Sequence, residues 1–290
     1  MMTNPASQTA IGPMTIVAVE QYSNQKQRLI EDELAYQFLP TSVKFMVRLA
    51  HWRPARTLLF NLTEKTARGI WGSMLCRKRY IDDKIHEATG AMDAIVILGA
   101  GLDTRAYRMS ALATLPVIEV DLPENIMYKR ARLQQIHQQL PATVQLVPID
   151  FEHQTLETVL TGEAYRFAQK TFFIWEAVTQ YLTEEAVRKT FDFLAKAASG
   201  SRLVFTYIRQ DFINGVNLYE AAITYQRFRV QQQLWHFGMV PEQVAAFLAE
   251  YGWREVEQMG SQEFIARYIR PNQRDLPVSE IERCVYAEKI

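Results

Sequence analysis

Apolar and polar positions change rhythm near residue 94. Upstream, over residues 15–90, apolar side chains recur at helical spacing: Leu29, Ile30, Leu34, Phe38 and Leu39, then Val43, Met46, Val47 and Ala50. Residues 1–14 lack that pattern and read as a loose tail. From 94 onward the texture is one of short continuous apolar runs, as expected for strands buried on both faces. They are AIVILG (94–99), PVIEVD (116–121), VQLVPI (144–149), TFFIWE (171–176) and RLVFTYI (202–208). Helical spacing fills the gaps at 104–115, at 123–140 with Pro123 at its start, and at 183–198. Thr183 caps that last helix, Glu184 and Glu185 sit in its first turn, and Gly200 stops it.

This alternation predicts an α/β fold with a doubly wound, mostly parallel sheet. After 209 it stops. Residues 211–237, rich in aromatics, predict a long helical insertion, and 241–252 predict a helix. WREVEQM (253–259) and ERCVYAEKI (282–290) predict two final strands, making seven in all. No repeat or low-complexity linker divides the chain. The expected organisation is one domain over 1–290: a helical cap (1–90), a ligand-binding core (91–208), a helical lid (209–240) and a C-terminal helix with the last strands (241–290).

Composition narrows the function classes. Lys plus Arg and Asp plus Glu both number 32, for a net charge of zero. That balance argues against a general nucleic-acid or membrane binder while leaving room for a local basic patch. The two cysteines, Cys76 and Cys284, are far apart and read as buried thiols of a reducing compartment. There is no apolar run of membrane-spanning length, and MMTNPASQTAIGPM lacks the pattern of a signal peptide. The expected address is cytoplasmic.

The candidate chemistry starts at ILGAGLDTRAYR (97–108), a strand, a GxG turn and a helix in order. Gly99 and Gly101 would end the first strand where such sheets bind ligands. A bland tight turn remains the alternative. Asp121 ends the next strand, where a ribose-binding carboxylate belongs, although Glu119 lies on the same strand face. Thr104 stands where a dinucleotide loop has its third glycine. Asp103 would cap the helix start and repel a pyrophosphate. A cofactor without phosphates fits better, and S-adenosylmethionine has a ribose, an adenine and cationic groups that tolerate carboxylates. Asp150 ends the third strand, placed for an adenine amino group, with Phe151 beside it to cover a ring face. Glu176 ends the fourth and suits the amine of the methionine part. Strand-end capping is the alternative for both acids.

Four ordered stretches, ILGAGLDTRAYR, VIEVDLPENIMYKRARL, PIDFE and FFIWEAVTQYLTEEAV, resemble the leucine carboxyl methyltransferase family over roughly residues 75–260. That family includes the enzyme that methylates the C-terminal carboxylate of a protein phosphatase, and bacterial small-molecule O-methyltransferases. The resemblance implies a class I methyltransferase fold and an S-adenosylmethionine site of Arg77, Gly99, Asp121, Asp150, Phe151 and Glu176, with Tyr181 added from the Glu176 motif. Arg77, in CRKRYIDD (76–83), would pair with the carboxylate of the cofactor's methionine part. A solvated basic helix face is its alternative. The chain departs from the phosphatase enzyme in lacking a match for an N-terminal lysine, which favours small-molecule acceptors.

The expected activity is transfer of methyl to a carboxylate or hydroxyl oxygen of a small biosynthetic intermediate, without a metal, since no His/Asp/Glu cluster shows ligand spacing. A carboxylate needs no base, whereas a hydroxyl is helped by one. His236, in QQLWHFGM, is the candidate base, and His137 reads as surface. Tyr207 and Arg209 follow the fifth strand, and Arg209 would hold an anionic acceptor. Competing readings are methylation of a protein C-terminus, a cofactor-binding protein without methyl transfer, and nucleotide oxidoreduction, which Asp103 and Thr104 disfavour.

Overall fold

The computed structural model describes residues 9–137, 140–151, 153–160 and 165–290. Seven strands form one sheet: β1 (Ala94–Leu98), β2 (Val117–Asp121), β3 (Val144–Pro148), β4 (Thr171–Trp175), β5 (Arg202–Ile208), β6 (Trp253–Met259) and β7 (Glu282–Lys289). Their order is β3-β2-β1-β4-β5-β7-β6. Neighbours from β3 through β5 are parallel, while β7 runs antiparallel to both β5 and β6. The strand order reverses between β1 and β4, which opens a crevice at the carboxyl ends of those strands.

Both faces of the sheet are covered, which explains the continuous apolar runs. Ile95, Ile97, Phe172 and Ile174 join one core, and the alternate residues Val96, Leu98, Phe173 and Trp175 join the other. The first core is roofed by the helical cap: α1 (Ile11–Glu20), α2 (Thr41–Leu49), α3 (Arg53–Thr66) and α4 (Ile70–Ala88). Among the described residues no helix is long and apolar enough to cross a membrane. Cys76 and Cys284 are free and buried, and burial pushes the Cys76 thiol up to about 12.

Three expectations are corrected. Residues 11–14 are not tail: α1 begins at Ile11, and Met14 is buried in the core. Residues 1–8 of the expected tail, and 138–139 of the helix expected over 123–140, lie outside the described residues. The helix expected at 104–115 is only Arg105–Arg108 followed by a 3-10 turn at Ser110–Leu112. The insertion is not one long helix. It comprises Gln210–Ile213, Ala222–Tyr225 and a π-helical stretch at Gln226–Gln231, separated by extended or turning backbone. Positive φ at Gly215, Tyr219, Glu220 and Gln233 breaks the helical run.

Candidate functional site

A cavity of 1010 Å³ opens at the crevice between β1 and β4. Four strand ends feed it. After β1 the loop turns through Gly99 and Gly101, both at positive φ (68° and 43°). Gly99 also lets the chain pass Val178, whose Cγ2 an added Cβ would overlap. The last residue of β2 is Asp121, which accepts hydrogen bonds from the Gly101 amide, the Leu122 amide (2.7 Å) and Asn125 Nδ2 (2.7 Å). Burial raises its pKa above the usual carboxylate value, and these bonds oppose the rise. After β3, Asp150 stands at the rim, paired with His153 (2.8 Å), with Phe151 buried next to it. After β4, Glu176 faces Arg77 (2.8 Å), Lys78 (3.2 Å) and Arg105 (2.8 Å).

Helix α4 supplies Arg77 and Lys78, and the short helix Arg105–Arg108 after the glycine loop supplies Arg105. Arg77 bridges Glu176 and Glu282, the first residue of β7, and is buried. Arg105, deeper still, holds Asp103, Asp82 (2.7 Å) and Glu176 together. Burial works against the ionised form of Glu176, but Lys78, Arg105 and Arg77 outweigh it and hold the carboxyl well below its usual range. Asp103 behaves alike: burial opposes charge, and Arg105 and Lys78 overcome it. Asp103 also accepts from the Arg105 amide (2.8 Å), as a residue at a helix start does. Its charge is paired inside the protein, so repulsion of a pyrophosphate is a weaker argument than the sequence made it.

All nine residues expected to hold a cofactor line this one cavity: Arg77, Gly99, Gly101, Asp103, Asp121, Asp150, Phe151, Glu176 and Tyr181. The ambiguity on β2 resolves. Glu119 is sealed beneath the loop against Lys129 (2.6 Å) and Tyr107 (3.1 Å) and does not reach the cavity.

The three residues expected to be catalytic are not at the cavity. Tyr207 lies on the far face of β5, packed in the second core with its hydroxyl on Gln258; its strand neighbour Ile208 is the one that lines the cavity. Arg209 is tied to Asp211 (3.2 Å) and Glu280 (3.0 Å) and rests over Tyr219. His236 is exposed, between the buried Trp235 and Phe237, and only its backbone engages the site region, donating to the Gln180 carbonyl (2.7 Å). The side chain of His137 lies outside the described residues.

Several residues escaped the sequence reading. Lys78 and Arg105 sit inside quoted motifs, and Asn125 is one helical turn after Asp121, so those signals were present. Gln180 likewise lies in the Glu176 motif, beside Tyr181, whereas Glu282 carried no such signal. Gln180 and Glu282 both line the cavity with a buried side-chain oxygen lacking a partner, as does Asn125.

Beyond the strand ends the cavity continues as an apolar lobe. Met46, Leu59 and Met74 from the cap face Phe228 and Trp235 from the lid, whose rings stack at 5.0 Å. Among the described residues no group of three or more His, Cys, Asp or Glu could hold a metal ion.

Fold and site together define a protein of the class I methyltransferase fold with a ligand cavity at its topological switch point. The leucine carboxyl methyltransferase model matches residues 10–195, and the chain belongs to that family. A curated relative from Mycolicibacterium paratuberculosis, described as a putative S-adenosyl-L-methionine-dependent methyltransferase, is 30% identical over 69% of this chain and 64% of its own length. The match thus spans a little under two thirds of that relative. Another so described, from Mycobacterium bovis, is 26% identical over 90% of this chain and 87% of its own. Among solved structures, a putative methyltransferase from Thermobifida fusca superposes with a TM-score of 0.55 at 14% identity, covering 83% of this chain and 90% of that one. A DUF574 family protein from Streptomyces avermitilis gives 0.53 at 13% identity, covering 82% and 92%.

Proposed function

We propose that this protein is an S-adenosylmethionine-dependent O-methyltransferase acting on a small molecule, with a carboxylate as the preferred acceptor and no metal. The observation that carries the reading is the cavity itself: a polar end at four strand termini, continuous with an apolar lobe under the lid. The donor set fits the cofactor. Five carboxylates line the cavity (Asp103, Asp121, Asp150, Glu176 and Glu282) against the cations Arg77, Lys78 and Arg227, an excess that suits a ligand carrying a sulfonium and an ammonium. The orphaned oxygens of Asn125, Gln180 and Glu282 are further acceptors for its donors.

When bound, the cofactor supplies an electrophilic methyl group on sulfur. The residues of this chain bind and orient. Asp121 would present its carboxylate to the ribose hydroxyls, and Asp150 and Phe151 would take the adenine edge and face. Glu176 would accept from the amine, and Arg77 would hold the carboxylate. The lid and cap would position the acceptor beside the methyl-bearing end of the cofactor.

The acceptor preference follows from what lines the apolar lobe. Among the described residues, the one histidine lining the cavity is His153, at the rim and paired with Asp150, and Lys78 is committed to Glu176. A hydroxyl acceptor would be helped by a base there, whereas a carboxylate is already ionised. Arg227, stacked on Phe228 at 5.0 Å, is the lid's cation in the cavity lining.

Calorimetric titration with S-adenosylmethionine, S-adenosylhomocysteine and NADH tests the cofactor assignment. Micromolar binding of the two sulfur nucleotides with NADH silent is expected; binding of NADH alone overturns it. Labelled-methyl transfer into a metabolite extract then tests the acceptor. Base-labile ester product is expected, whereas label in protein would point to a C-terminal carboxylate and tight binding without any transfer to a non-enzymatic role.

A further inference from the structure

The cap helices that wall the apolar lobe have a second face. On α2, Val43 and Met46 line the cavity, while Phe45 and Leu49, one helical stripe over, point outward, as does Trp52 in the turn just before α3. On α3, Leu59, Thr63 and Thr66 line it, while Leu58 and Leu62 are exposed. Phe45 is 65% exposed, Trp52 68% and Leu58 60%, values rare for side chains of this size grouped on adjoining helices. The lid extends the patch: Thr224 donates to the Thr66 carbonyl (3.2 Å), and Ile223 and Val230 on the same lid segment are exposed.

The charges on this face are mainly of one sign, the exposed Arg68–Glu220 pair (3.0 Å) aside. Residues 41–68 carry Lys44, Arg48, Arg53, Arg56, Lys65 and Arg68 against a single acid, Glu64, which is turned inward onto the Gly69 amide (2.7 Å). Residues 222–231 add Arg227 and Arg229 and no acid. In a chain of zero net charge, that excess is local.

We infer that this face docks on an anionic lipid surface, with α2 and α3 lying in the interface. Exposed Phe, Trp and Leu interleaved with Lys and Arg on short amphipathic helices is the composition of an interfacial anchor. A second copy of the chain fits less well. A two-fold contact on this patch would set two strongly basic surfaces against each other, whereas anionic headgroups neutralise them. The inference does not depend on methyl transfer, and cofactor binding is measured separately below.

The test is co-sedimentation of the full-length protein with vesicles of phosphatidylcholine alone or mixed with phosphatidylglycerol, at low and high salt. Binding only to the mixed vesicles, released by salt, is expected. Trp71, Trp175, Trp235 and Trp253 are buried, so a blue shift of tryptophan emission on binding reports Trp52 and should vanish in Trp52→Phe. Arg53→Gln should bind about fivefold more weakly. Leu49→Ser/Trp52→Ser should lose vesicle binding but keep its melting temperature and its affinity for S-adenosylhomocysteine, because neither residue lines the cavity. No binding of the wild type to mixed vesicles overturns the proposal, as does equal, salt-insensitive binding to neutral ones. A wild-type dimer that Leu49→Ser/Trp52→Ser converts to monomer, with vesicles ignored by both, would assign the face to a second copy instead.

Discussion

Asp121 does two jobs at the residue scale, and a substitution separates them. Its carboxylate tethers the glycine loop and the start of the following helix while lining the cavity. Asp121→Asn keeps the size and loses the charge. Loss of hydrogen bonds to a charged group, at about 1.5–3 kcal/mol, should weaken S-adenosylmethionine binding roughly 10- to 150-fold by titration. Unchanged affinity would remove Asp121 from the cofactor's site. Glu176 differs, because three cations converge on it in a buried setting. Glu176→Gln leaves Arg77, Lys78 and Arg105 short of compensation and should lower unfolding stability in urea by about 3 kcal/mol as well as weaken the cofactor. If only affinity falls, the network is held by Asp103, Asp82 and Glu282 without it. Gly99→Ala meets both a positive φ and Val178. It should cost about 1–3 kcal/mol from the backbone alone. Adding Val178→Ala should recover the steric part and leave the backbone part, which a double-mutant cycle reads directly.

Helix α4 sets the site at the scale of elements, since it carries Arg77 and Lys78 into the cavity and Asp82 onto Arg105. It lies so close to the chain at 277–278 that a Cβ at Gly72 would overlap the Pro277 carbonyl oxygen and Val278. Helix propensity alone says Gly72→Ala should stabilise by about 1 kcal/mol. The packing reverses the sign: the melting temperature should fall, and the cofactor should bind less tightly as Arg77 shifts with its helix. A rise in melting temperature would mean that 277–278 yields freely. The same contrast between local and distant causes decides what the sequence made legible. The strands were readable because a sheet buried on both faces writes continuous apolar runs, and the cavity acids because they follow those runs directly. The lid was not, because its aromatics keep helical spacing while Gly215, Tyr219, Glu220 and Gln233 turn the backbone, and only the packing of Phe212 against Trp235 and Tyr225 fixes the outcome. Glu282 was invisible for a related reason. It reaches Arg77 only because β7 inserts beside β5, a pairing that no local pattern announces. Tyr207 and Arg209 were misplaced by treating every residue near the end of β5 as facing the crevice, when strand alternation gives that place to Ile208.

Across the whole molecule, two sets of buried acids impose opposite pH dependences. Asp103 and Glu176, held below their usual range by the cations around them, contribute stability that is present above the ordinary carboxylate values and lost as pH falls below them. Glu119 has the reverse sign. Burial pushes it up to about 7 although Lys129 and Tyr107 oppose the rise, and Asp32 and Asp121 are also raised by burial. Such groups favour the folded state most when protonated. Their contribution is full below their unfolded values and declines as pH climbs toward the folded ones. For Glu119 the loss between about pH 4.5 and 7 is on the order of 3 kcal/mol. The two trends meet at the ordinary carboxylate values, so stability should peak near pH 4 and not at the sequence pI of about 7.0. Urea midpoints measured from pH 3 to 8 read this directly: a rise from 3 to about 4, then a decline toward neutral. Glu119→Gln removes the titrating group on the neutral side. It should flatten the decline above pH 5 while leaving the acid limb unchanged, and a decline of undiminished slope in that variant would transfer the effect from Glu119 to other groups.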